Sequence, residues 1–272
     1  MVGTGLFRVT PGLESGTRWY RCVSNNGVTA ATRASKRESN LNLRTILAAA
    51  AACALLFLSG CATPLQPPLP LTTASLSAQG SRIGVAMTAL PQVDTHLPGA
   101  SCLLCLAAAS IANSSLTSHA RTLPYEDLGK LKETIAELVR KRGAEPVVID
   151  AALKLDDLPN NGSKTPNQAR KDFSSLQKKY GIDKLLLVDV TLIGFERTYS
   201  AYFPTSDPKG ALYGSGALID LKSNALEWYV PLAVLRSADG KWDEPPKFPG
   251  LTNAYFQVLE LGKDELLKPL QP

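Results

Sequence analysis

The one pair of residues in this chain with an obvious chemical spacing is Cys102-x-x-Cys105. Two cysteines three positions apart can form a local disulfide, which an oxidising compartment favours. A redox-active pair is the second interpretation, but the surrounding sequence lacks the βαβ context of thioredoxin-like motifs. Two reduced thiols buried among alanine and leucine are the third. The sequence predicts a disulfide and leaves the other two open.

A zinc site would need further ligands beside the cysteine pair. His96 and His119 flank the pair and are the only histidines in the chain. Their spacing matches no standard zinc pattern, so we expect no metal.

Other candidate chemistry is weaker. Gly214-Ser215-Gly216 lacks the strand–turn–helix context of a nucleophile turn, and no histidine follows it. The acidic pairs Asp156-Asp157 and Asp243-Glu244 fall in predicted loops without a partner. We therefore expect no enzymatic activity and no cofactor.

Aromatic residues are concentrated in and after the longest predicted strand. A binding surface for a glycan or a protein would use Tyr199, Tyr202, Phe203 and Trp242, whereas strand packing is the ordinary alternative.

The segment around the cysteines, Pro98 to Ala112, carries no charge. Burial under the sheet is the expected arrangement for such a segment. Contact with a membrane or with a neighbouring subunit would instead leave an exposed apolar patch.

An export signal precedes this region. An uncharged run from Thr45 to Gly60 follows Arg44, and its apolar core of about 13 residues suits a signal peptide rather than a membrane span. The run ends in Leu58-Ser59-Gly60-Cys61, which resembles the lipobox of bacterial lipoproteins. The resemblance implies that Cys61 is lipidated, and Ala62 in place of an aspartate favours the outer membrane.

These signals divide the chain into four parts. We expect residues 1–40 to be a mis-assigned N-terminal extension, with the true start near Leu41 or Leu43. Residues 41–60 are the predicted signal peptide, 61–80 a Pro-rich linker and 81–272 a single periplasmic α/β domain.

The charge distribution follows the same division. The 272 residues contain 29 Lys+Arg and 24 Asp+Glu, a formal charge of +5. Residues 1–60 hold seven of the bases and two of the acids, so the remainder is neutral. Nucleic-acid binding therefore has no support from charge.

Apolar periodicity predicts a β-α-β-α-β-β-β-α order, which indicates a mixed sheet with helices packed on it. The predicted elements are strands at 82–87, 146–149, 184–198, 211–221 and 226–235, and helices at 124–142, 165–180 and 251–267. Thr165-Pro166 is expected to begin the second helix as N-cap and first-turn proline.

Two stretches carry a family resemblance: Tyr180 to Val190, with Gly181-Ile182-Asp183 before an apolar strand, and Ala217 to Trp228, an Asp-Leu-Lys hairpin ending in tryptophan. They resemble the core of the curli-secretion-channel-like lipoproteins and of related polysaccharide-export lipoproteins, which often form rings. The chain departs from that pattern at Ala225, where the family has glycine.

The resemblance implies a structural or accessory subunit of an envelope assembly for secretion or surface-polymer export. It would lie at the periplasmic face of the outer membrane, held by its N-terminal lipid and associated with itself or other envelope proteins. A periplasmic binding module is the first alternative, and a Cys-x-x-Cys redox protein the second.

Overall fold

The computed structural model describes residues 66–76, 80–163 and 165–271. These residues all belong to one compact unit, Pro64–Pro272. The predicted signal peptide and Cys61 lie outside the described residues.

The helices are α1 Thr73–Leu76, α2 Leu103–Ala112, α3 Ser114–Ala120, α4 Leu131–Lys141, α5 Ser174–Tyr180 and α6 Pro249–Leu267. The strands are β1 Arg82–Met87, β2 Asp94–His96, β3 Glu145–Val148, β4 Lys184–Glu196, β5 Tyr199–Ser200, β6 Phe203–Pro204, β7 Lys209–Asp220 and β8 Leu226–Ser237.

Six of these strands form one mixed sheet in the order β3-β1-β4-β7-β8, and β2 pairs with the far end of β4. β1 lies parallel to β3 and to β4, because helices connect them, while β4, β7 and β8 form an antiparallel meander. The predicted mixed α/β fold with helices on a sheet is confirmed. The short hairpin β5–β6 lies beyond the end of β4.

The sheet has an apolar core on each face, because its central strands alternate apolar side chains to both sides. On one face, Leu186 and Val188 of β4 pack in a large cluster with residues of α4 and α6. On the other, Leu185 and Leu187 pack in a smaller cluster with residues of α5 and of the segment before it.

Helix α4 shows how an amphipathic sequence is used here. Leu131, Ile135, Ala136 and Val139 are buried against the sheet, and its charged residues face outward. Three of these buried positions recur at a spacing of four, which gives one apolar face. Helix α4 is shorter than the predicted helix at 124–142, because residues Glu126–Lys130 form a 3-10 turn instead.

The predicted helix beginning at Thr165 is wrong in its first half, since α5 starts only at Ser174. Residues 165–173 place their backbone groups in bonds to other parts of the chain instead. Ala169 N–H donates to the carbonyl of Asn224 (3.0 Å), and the Asn161 amide donates to the carbonyl of Ala169 (3.0 Å). These tertiary bonds replace the helical ladder that the cap signal predicted.

Candidate interaction surface

Helix α2 begins at the cysteine pair. Cys102 is its N-cap, and Sγ of Cys102 accepts a hydrogen bond from the backbone N–H of Cys105 (2.9 Å). A disulfide joins the two residues, with Cα atoms 4.9 Å apart. Cys102 is exposed, whereas Cys105 is buried. The disulfide therefore holds the first turn of α2, and the pair has no thiol to offer a metal.

The remainder of α2 is apolar on almost every side, yet only Cys105 and Ala109 are buried within it. Leu103, Leu104 and Ile111 are 85%, 71% and 76% exposed. The expectation that this segment lies buried under the sheet is wrong. A helix that is apolar all round is normally covered, and here the described part of the chain covers only a narrow strip of it.

The β5–β6 hairpin is attached to the segment before α2 by backbone bonds. Tyr199 N–H donates to the carbonyl of Pro98 (2.8 Å), and Ala201 N–H donates to the carbonyl of Gly99 (3.2 Å). Gly99 has φ +87, and a Cβ there would overlap the carbonyl of Tyr199. Glycine is therefore required for this close approach. The hairpin tip places Tyr202 beside the start of α2, with its hydroxyl 3.8 Å from Sγ of Cys102.

A buried asparagine closes the other end of α2. The Asn113 amide donates to the carbonyl of Ala109 and to the Tyr199 hydroxyl, each at 2.7 Å. Its side-chain oxygen accepts from the Arg197 guanidinium at 3.1 Å. All its polar atoms are thus paired, which a buried amide requires. The helix, the hairpin and the end of β4 are held together at this residue.

Arg197 extends the same network to the loop before α6. It donates to the carbonyl of Ser206 (3.2 Å), and its guanidinium lies 4.9 Å from the Trp242 ring centroid. Trp242 also stacks on Phe248 at an interplanar angle of 3°. These contacts make Trp242 part of the packing of this end of the domain.

The four aromatics predicted as a binding surface therefore separate into two pairs. Tyr199 is buried and bonded to Asn113, and Trp242 is partly buried against Arg197. Only Tyr202 and Phe203, 50% and 74% exposed, face outward. The sequence analysis did not single out Asn113 or Arg197, because nothing in the local sequence indicates that these two side chains meet.

The two histidines have different surroundings. His96 is exposed at the end of β2, and the ring of His119 lies 2.8 Å from the Thr252 hydroxyl. Burial, helped by the positive charge of Lys247, lowers the pKa of His119 below its usual value. No group of three His, Cys, Asp or Glu side chains able to hold a metal ion occurs among residues 66–76, 80–163 and 165–271.

The surface that results is defined by α2 and the tip of the hairpin, and we call it the α2 surface. Its exposed large side chains are Leu103, Leu104, Leu106, Ile111, Tyr202 and Phe203. No charged residue occurs between Leu97 and Ser118 or between Tyr199 and Ser206. Such a surface can exclude water against an apolar partner, and it offers no charged group for acid–base chemistry. None of the described helices combines the length and apolarity needed to cross a membrane.

No protein-family model matches this sequence, and no curated protein sequence matches it. Several solved structures are weakly similar. A PelC dodecamer from Paraburkholderia phytofirmans is 11% identical over 76% of this chain and 94% of its own, with a TM-score of 0.30. The DUF330 protein XCC0632 from Xanthomonas campestris is 13% identical over 75% and 90%, with a TM-score of 0.33. Lipoprotein GNA1162 from Neisseria meningitidis is 16% identical over 66% and 96%, with a TM-score of 0.27. At such scores these similarities carry no argument about what this chain does.

Proposed function

We propose that this chain is a lipid-anchored lipoprotein of the periplasmic face of the outer membrane, acting as a structural or accessory subunit of an envelope assembly. The observation that carries the proposal is the sequence Leu58-Ser59-Gly60-Cys61 after an uncharged apolar run. A Pro-rich segment then leads into one α/β domain, and the second half of the predicted linker is already part of it, because Leu69 pairs with β8 and Leu76 is buried in the core. This arrangement suits a protein that acts while attached to a membrane by one end.

The α2 surface supports the subunit part of the proposal. Monomeric proteins rarely expose a large contiguous apolar patch, and such patches commonly mark an interaction site. Leu103, Leu104 and Ile111 are exposed on a helix that is fixed to the domain through the bonds of Asn113 to Tyr199 and Arg197. A rigid, uncharged, water-exposed helix is suited to contact another molecule.

The alternative of a glycan-binding module is supported by Tyr202 and Phe203 alone, because Tyr199 and Trp242 are engaged in packing. Sugar recognition also needs polar groups beside the aromatic rings. The hairpin tip, Tyr199 to Pro204, offers a single hydroxyl besides its two tyrosines, that of Ser200. A subunit role accounts for the hairpin and for the leucines of α2 together.

Lipidation at Cys61 is tested by metabolic labelling with an alkyne-bearing fatty acid in cells that express the full chain. We expect labelling of the unsubstituted chain, together with loss of the leader, and neither in Cys61→Ala. Cys53→Ala is the matched control, because Cys53 lies in the same apolar run and should keep full labelling. Labelling that survives Cys61→Ala would overturn the proposed anchor.

The outer-membrane part is tested separately by density-gradient fractionation of the envelope. Ala62→Asp should move the lipidated chain to the inner-membrane fraction, whereas Ala62→Ser should leave it in the outer-membrane fraction. If the unsubstituted chain already fractionates with the inner membrane, the proposed location is wrong although lipidation stands.

A further inference from the structure

We propose that the α2 surface is an interface with a second copy of this chain, in which two α2 helices pack antiparallel about a twofold axis. The inference goes beyond the proposed function, and only its argument from the position of the tether rests on the proposed anchor.

The spacing of the outward side chains carries the choice of partner. Leu104, Ala107, Ala108 and Ile111 occupy positions i, i+3, i+4 and i+7, which form one continuous face of a helix. Reading this face in the opposite direction gives the same order of sizes: large, small, small, large. A twofold interface requires a self-complementary patch of this kind.

The packing that this face permits is specific. With the twofold axis between Ala107 and Ala108, Leu104 of one copy lies against Ile111 of the second copy, and the reverse. The alanines at the centre allow a close interaxial distance of about 8 Å. The leucine and isoleucine at the ends then fill the space on either side. The other face of α2 remains against its own domain through Cys105 and Ala109.

Charge argues against a lipid surface as the occupant. Helices that lie in a membrane interface carry basic residues on a polar face, which attract anionic headgroups. The whole segment from Leu97 to Ser118 has no charge, and the neighbouring hairpin has none between Tyr199 and Ser206.

The position of the surface in the domain argues in the same direction. The described chain begins at Gln66, whose side-chain amide donates to the Asn167 side chain (2.9 Å). Asn167 in turn bonds to Leu226, at the start of β8. Leu69 pairs with Tyr229 of the same strand. The tether thus joins the domain beside β8, at the end of the sheet where β4 begins. The α2 surface lies beyond the other end of β4, a strand of 13 residues and about 40 Å in length.

The test is the mass of the full chain, extracted in a nonionic detergent and measured by light scattering, for three forms. We expect two copies for the unsubstituted chain. Leu104→Glu with Ile111→Glu places two carboxylates against each other at both ends of the interface and should weaken association at least about tenfold. Leu104→Glu with Ile111→Lys places opposite charges at both ends and should restore a mass of two copies.

The controls keep the result interpretable. Leu104 and Ile111 are both exposed, so at a protein concentration low enough to keep the chain monomeric each form should retain the urea midpoint of the unsubstituted chain. Phe256→Glu changes an exposed aromatic on α6 and should leave the mass at two copies.

Three outcomes would overturn the proposal. A mass of one copy for the unsubstituted chain would do so. The Glu/Lys form behaving like the Glu/Glu form would exclude antiparallel packing, because only that arrangement brings position 104 to position 111. A larger assembly unaffected by either form would place the interface elsewhere. None of these results depends on fatty-acid labelling, so failure of the anchor would be seen separately.

Discussion

Helices α2 and α4 have nearly the same length, but they are used in opposite ways. Helix α4 has an apolar face with Ile135 at its centre and a charged opposite face, and the sheet covers the apolar side. Helix α2 is apolar throughout, and most of it faces outward, with Ile111 76% exposed. The amphipathic sequence of α4 therefore predicts which side of the helix is buried, whereas the almost uniformly apolar sequence of α2 does not predict a buried side.

The two helices also differ in what holds them to the domain. Helix α4 is held by the burial of Leu131, Ile135 and Val139 in the larger core. Helix α2 buries little apolar area and is attached through the bonds of Asn113 to Tyr199 and Arg197 and through the hairpin bonds at Pro98 and Gly99. Directional contacts thus replace apolar burial where a helix must keep an apolar face free.

The largest effect should come from truncating the same side chain in both helices. Ile135→Ala removes a fully buried side chain and should lower the free energy of unfolding by about 2–5 kcal/mol. Ile111→Ala removes an exposed one and should change it by no more than about 0.5 kcal/mol. Urea unfolding at low protein concentration measures both. If Ile111→Ala also costs several kcal/mol there, α2 is covered by its own chain and the comparison fails.

Two glycines sharpen the comparison next. Gly99 and Gly143 both have positive φ, +87 and +92, but a Cβ at Gly143 meets nothing within 4 Å. Gly143→Ala should cost about 1 kcal/mol from backbone strain alone. Gly99→Ala adds an overlap with the Tyr199 carbonyl and should cost about 1–3 kcal/mol more.

Amide hydrogen exchange shows which part of the domain is destabilised by the overlap in Gly99→Ala. We expect Gly99→Ala to speed exchange in α2 and the hairpin, while α4 stays protected in both variants. Equal urea midpoints for Gly99→Ala and Gly143→Ala would show that the α2 attachment contributes nothing to the fold.

The two buried asparagines give a third, smaller effect. Asn113→Ala leaves the Tyr199 hydroxyl and Arg197 without this partner and should cost about 1–3 kcal/mol. Asn224→Ala removes bonds to Phe173 N–H and the Lys171 carbonyl, far from α2. Faster amide exchange should follow in α2 for the first variant and in residues 165–173 for the second. Faster exchange in α2 after Asn224→Ala would mean that the two regions are not independent.

The five long strands were predictable from the sequence because their signals are local, whereas the short strands β2, β5 and β6 were not predicted. Strand β1 has the predicted bounds, and the hairpin of β7 and β8 follows from two apolar runs separated by a polar turn. Segment 165–173 was not predictable, since its backbone bonds reach Asn224, more than 50 positions away.

The candidate site was predictable only in part. The sequence singles out the Cys102–Cys105 pair and the uncharged segment, because both are composition signals. It does not say which side of α2 is covered, because a uniformly apolar helix has no pattern to read. Tyr199 and Phe203 are alike in the sequence. Tyr199 is buried because it packs with Ala100, Cys105 and Ala109 and bonds to Asn113, which lies 86 positions away.

The smallest effect concerns His119, which lies in the last turn of α3. In His119 burial first, and Lys247 second, lower the pKa below the unfolded value of 6.5. As the pH falls below about 6.5, the unfolded chain gains a proton that the folded chain does not. Stability should therefore be complete above that pH and should fall as the pH decreases through the folded pKa.

Urea midpoints between pH 7.5 and 5.5, above the ordinary carboxyl range, should decline less in His119→Gln than in the unsubstituted chain. Equal slopes for the unsubstituted chain and His119→Gln would show that the packing around His119, and with it the attachment of α3, is looser than the hydrogen bond to Thr252 indicates.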